Sequence, residues 1–98
     1  MNYLDQLAEE IEYQLLPKHR PPDHAIELYR LYALLALVRG RQTTLENVHD
    51  AWSTWMCPQE PDHPSLVPFA DLEADQQEQD RPYLEAILRA CASLETHR

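Results

Sequence analysis

A chain of 98 residues with 17 acidic and 8 basic side chains, formal charge −9, is long enough for one domain with one modest core. That balance excludes sequence-independent nucleic-acid binding, which depends on clustered Lys and Arg neutralising phosphates. A hydrophobic content of 44% excludes a disordered chain, and the longest apolar run, LYALLALV at 31–38, is far below the roughly 20 residues that cross a membrane. The expectation is therefore a single domain over 1–98.

In chain order, residues 3–16 place Leu4, Leu7, Ala8, Ile11 and Leu15 at helical spacing, with Asn2 as cap and Pro17 as stop. The opposite face carries Asp5, Glu9, Glu10 and Glu12 and reads as solvated. PKHRPPD, 17–23, is a connector stiffened by three prolines. A second helix is expected from about Asp23 to Arg39, and with the first it makes an N-terminal helical pair over 3–39. Its first half is amphipathic through Ile26, Leu28, Tyr29 and Tyr32. Its second half is apolar all round and should be surrounded by protein. Gly40, the only glycine, stands where a left-handed cap is wanted.

A third helix opens on a capping box between Thr43 and Glu46 and carries the stripe Leu45, Val48, Trp52 and Trp55, with His49 and Met56 at its edge. Cys57-Pro58 ends it. Segment 58–68 holds four of the eight prolines and reads as an ordered loop. Residues 71–80 hold five carboxylates and no base, with room for a helical turn. The last helix starts near Pro82 and buries Tyr83, Leu84, Ile87, Leu88, Cys91 and Leu94. The fold class is all-α: a compact bundle of about four helices with a long proline-rich loop between helices three and four.

Three pieces in order, NVHDAW (47–52), HPSLVPF (63–69) and QDRPYLEAIL (79–88), resemble the ryanodine receptor repeat, a small helical module of calcium-release channels and of bacterial and phage proteins. The matching positions are His49, Trp52, His63, Pro64, Leu66, Val67 and Phe69, within a repeat-like segment spanning 43–94. The whole chain also resembles small uncharacterised proteins of actinobacterial phages. The resemblance implies a non-enzymatic interaction module, with Leu66, Val67 and Phe69 pinning the loop onto the helix that bears Trp52. The repeat's glycine-containing aromatic stretch is missing from STWMCPQEPD at 53–62, so its ligand site does not transfer directly.

The residues assemble no active site. His49-Asp50 with His19, His24 and Asp71 invites comparison with HD-type phosphohydrolases, whose domains are normally longer. Cys57 lies two turns from His49, too far for a nucleophile–base pair. Cys57, Asp62 and His63 lack any recognised metal-ligand spacing, and one glycine cannot make a phosphate-cradling loop. No catalytic residue, metal or cofactor is expected. Cys57 and Cys91, with no C-x-x-C spacing and no signal peptide, suggest a reduced cytoplasmic setting, although the sequence leaves open whether they pair.

Two partner classes follow. A protein partner is expected first, with a homodimer through the apolar helix 24–38 as one form of it. The alternative is a small-molecule or nucleotide ligand, sensed or sequestered between helix three and the proline-rich loop. Trp52, Trp55, Met56, His63 and Phe69 would form that site, with Arg41 or Arg81 for a phosphate.

Overall fold

The computed structural model describes residues 2–20 and 25–96. It is all helical: α1 (Tyr3–Gln14), α2 (Ile26–Val38), α3 (Leu45–Met56), the single turn α4 (Ala74–Glu78) and α5 (Arg81–Thr96). Short 3-10 turns follow α1 at Pro17–His19 and α2 at Gly40–Gln42, and one precedes α4 at Phe69–Asp71. No strand occurs among the described residues. The expected four-helix bundle is thus present, with α5 as its fourth long helix and the acidic run supplying α4.

The caps explain the boundaries. Asn2 accepts the Asp5 N–H at 2.8 Å and starts α1. The helix stops at Gln14 rather than at 16, because Pro17 biases Leu16 away from helical geometry. Leu15 leaves the helix but stays in the core at 3% exposure. The start expected for helix two, around Asp23, lies outside the described residues; the visible helix begins at Ile26. Gly40 has φ +55° immediately after the Arg39 cap, the conformation that favours glycine.

The capping box of α3 sits one residue beyond the expected one. Thr44 accepts the Asn47 N–H at 3.1 Å, and the Asn47 side chain accepts the Thr44 N–H at 3.0 Å. Thr43 turns inward and donates its hydroxyl to the Gly40 carbonyl at 2.7 Å. Either threonine can cap a helix. Thr43 has its hydroxyl committed to the turn at Gly40, and Thr44 takes the cap.

Helix α2 is central, with α1, α3 and α5 packed around it and α5 also touching α1 and α3. The core is built from Ile11, Tyr32, Ala33, Val48, Ala86, Ile87 and Ala90, each at most 1% exposed. Arg30 joins α2 to α1 through Asp5 at 2.8 Å, and that guanidinium holds the Asp5 carboxyl below its ordinary value. Burial pushes the Tyr29 hydroxyl, which has no hydrogen-bond partner among the described residues, up to about 12.

One expectation fails here. The second half of α2 is not surrounded by protein: Leu34, Leu37 and Val38 are 49%, 46% and 67% exposed. Three neighbouring helices cover only part of a cylinder that is apolar all round.

Candidate functional site

A half-open cleft of about 840 Å³ lies between α3, the proline-rich loop and the start of α5. Leu28 and Tyr32 of α2 form its floor. His49, Trp52, Trp55 and Met56 of α3 make one wall, and Gln59, Glu60, His63 and Ser65 of the loop make the next. Leu72, Gln76, Gln79, Asp80 and Tyr83 close the far side.

The α3 wall comes from helical spacing. Val48 and Ala51 face the core, and Trp52, Trp55 and Met56, about one turn further along the same side of the helix, are half-buried where the cleft opens. His49 is 3% exposed, deeper than its expected edge position. Its Nε2 lies 2.7 Å from the Val67 carbonyl, so that nitrogen carries the proton and donates it. The ring stacks on Trp52 at 5.8 Å and 22°, with Phe69 on another side at 6.2 Å. His63 meets Trp52 edge-on at 5.1 Å, and its Nδ1 accepts the Ser65 N–H at 3.0 Å, which places its ring proton on Nε2. Phe69, His49, Trp52 and His63 are therefore one continuous array of rings, and this array orders the loop.

That differs from the expected pinning in one respect. Val67 is an exposed side chain, and it holds the loop through its carbonyl oxygen rather than through burial. Leu66 and Phe69 are half-buried. The Gln77 amide adds bonds to the carbonyls of Phe69 and Leu72 at 3.0 and 3.3 Å.

Of the five residues expected at a ligand site, Trp52, Trp55, Met56 and His63 line the cleft, whereas Phe69 stands behind His49 as a buttress. Neither arginine offered for a phosphate lines it. Arg81 forks onto Glu78 at 2.9 and 3.0 Å, and Arg41 lies in the turn after α2. The sequence reading missed Tyr32, Tyr83 and above all Asp80. Tyr32 and Tyr83 pack ring to ring at 5.8 Å, and the Tyr83 hydroxyl donates to the His19 carbonyl at 2.7 Å.

Burial raises the Asp80 carboxyl above its ordinary value, against a partial offset from His49. The same carboxylate helps raise both tyrosines. With a raised folded-state value, Asp80 withdraws stability as the pH climbs from the unfolded carboxylate value to the folded one. A side chain that costs the fold stability while facing a cleft is a mark of a site.

His24 of the phosphohydrolase comparison lies outside the described residues. Among the described residues no three His, Cys, Asp or Glu side chains gather to hold a metal ion. No disulfide joins Cys57, which is exposed, to Cys91, which is buried with its thiol 3.9 Å from the Ala36 carbonyl. No helix among the described residues is long and apolar enough to cross a membrane.

A family model, that of the domain of unknown function DUF7701, matches residues 2–92. The chain belongs to that family. The DUF7701 match runs through nearly the whole sequence, and no ryanodine receptor repeat is found, so that resemblance is overturned. The likeness to actinobacterial phage proteins has no support from the match either. The three short motifs behind the resemblance have a local cause in this DUF7701 chain: they build the ring array and the start of α5. No curated protein and no solved structure matches the chain.

Proposed function

We propose that this DUF7701 domain is a non-enzymatic binding module that holds a small ligand in the cleft beside Trp52 and Trp55. The observation that carries the reading is the cleft itself. Its volume of about 840 Å³ falls within the roughly 300–1,000 Å³ of small-molecule sites. Its walls combine four large aromatic side chains with a few convergent polar groups, as such sites do. Two tryptophans on the wall give a direct test. Titration with an aromatic small-molecule panel is expected to shift the emission of the wild type, and Trp55→Phe is expected to lose part of that change. No spectral change in either protein, together with no calorimetric heat, would remove this reading. Two cysteines not joined to each other suit a cytoplasmic setting, which is part of the same proposal.

A second reading has its own observation. Ile26, Leu34, Leu37 and Val38 of α2 are exposed and fall within about a third of the helix circumference. A protein partner, in the simplest case a second copy of the chain, would cover that stripe. Sedimentation at tens of micromolar is expected to show a species of twice the 11.5 kDa chain mass, lost in the double variant Leu34→Glu, Leu37→Glu. A wild type running only as the 11.5 kDa species would contradict it.

A further inference from the structure

We propose that the ligand of the cleft is an organic cation, a small molecule joining an ammonium centre to an apolar or aromatic body. The assignment rests on the reading of the cleft as a ligand site and adds the chemistry of its occupant.

Charge is the first argument. The described residues lining the cleft include the carboxylates Glu60 and Asp80 and no Lys or Arg. The nearest arginine in sequence, Arg81, is committed to Glu78 at 2.9 Å, and no ion pair among the described residues reaches Asp80. A nucleotide or other phosphate would therefore meet two carboxylates and no Lys or Arg, with only the imidazoles of His49 and His63 to set against them, on a chain already at −9. An ammonium group would meet the reverse, and would relieve a carboxylate half-buried without a partner.

The second argument is the aromatic lining. Trp52, Trp55 and Tyr83 line the cleft with Asp80, and Tyr32, buried at 1% exposure, lies beneath them. Ring faces carry negative charge density, and aromatic rings that share a cleft with a carboxylate suit an ammonium ligand. Apolar walls from Leu28, Met56 and Leu72 leave room for an organic body rather than a bare inorganic ion. The raised carboxyl of Asp80 agrees with both arguments: burial desolvates it, and the opposing effect of His49 does not make up the difference.

The test compares three probes that share one phenyl ring: phenethylammonium, 2-phenylethanol and 3-phenylpropionate, each titrated by calorimetry into the full chain. The cation is expected to bind about tenfold or more tightly than the alcohol, the combined expectation for a hydrogen-bonded ammonium beside aromatic rings. The carboxylate probe is expected to give no heat. Raising NaCl should weaken the cation and leave the alcohol unchanged, which needs no variant at all. Asp80→Asn, checked by circular dichroism for an intact fold, should weaken the cation about tenfold and spare the alcohol. If the alcohol or the anion binds as tightly as the cation, the organic-cation assignment is overturned while the cleft remains a ligand site. If none of the three binds, the cleft reading fails and takes the assignment with it.

Discussion

Replacing Trp52 by alanine is expected to cost about 3 kcal/mol of folding stability, the lower end of the range for removing a large aromatic side chain from a core. The ring is half-buried against the central cluster and is flanked by His49 and His63 at 5.8 and 5.1 Å. Removing it takes away core contacts and both ring partners together. In a domain of this length such a loss lowers the melting temperature by roughly 12–24 °C. Thermal unfolding followed by circular dichroism at 222 nm measures it. A melting temperature within a few degrees of wild type would mean that Trp52 belongs to the cleft alone and not to the core.

His49→Leu is expected to cost about 2 kcal/mol, from one lost hydrogen bond and the lost stacking on Trp52 and Phe69. Leucine keeps the buried bulk, so the loss isolates the polar role of the ring. The 2.7 Å bond to the Val67 carbonyl is the main tie between α3 and the middle of the proline-rich loop. Its removal should speed amide exchange at Ser65 and Leu66 well before α5 is affected. A variant as stable as wild type, with unchanged loop exchange, would make His49 a spectator.

The fold was legible wherever a residue pattern has one cheap solution. Asn2, Gly40 and the stripes of α3 and α5 fix helix ends and buried faces through local geometry, and the structure follows them except at Leu94, which lies near the open end of α5 and is 40% exposed. The apolar half of α2 misled because burial depends on how many neighbours a helix has, which no window of its own sequence reports. On spacing alone Thr43 reads as the cap of α3, and the structure gives that place to Thr44, with Asn47 bonded back to its N–H.

The site was legible only on α3 and at His63, where aromatic and polar residues recur at short spacing. Asp80 was invisible for a different reason. In a run of five carboxylates each one reads as solvated, and only the turn from α4 into α5 brings this one to the cleft beside Tyr32 and Tyr83. The ryanodine-repeat likeness failed because its motifs are short solutions to a common packing problem, a histidine one turn from a tryptophan and a proline-braced loop laid across them. Different families can meet that problem alike.

The proposed site of action is the cleft between α3, the loop and α5, with an organic cation as its occupant. Proton–nitrogen correlation spectra of the full chain, titrated with phenethylammonium, test it most directly. The indole N–H signals of Trp52 and Trp55 and the amides of His63 and Asp80 are expected to move together along one saturating curve, while Leu34 and Leu37 on the outer face of α2 stay still. Cleft signals that remain in place throughout the titration, or shifts confined to α2, would contradict it.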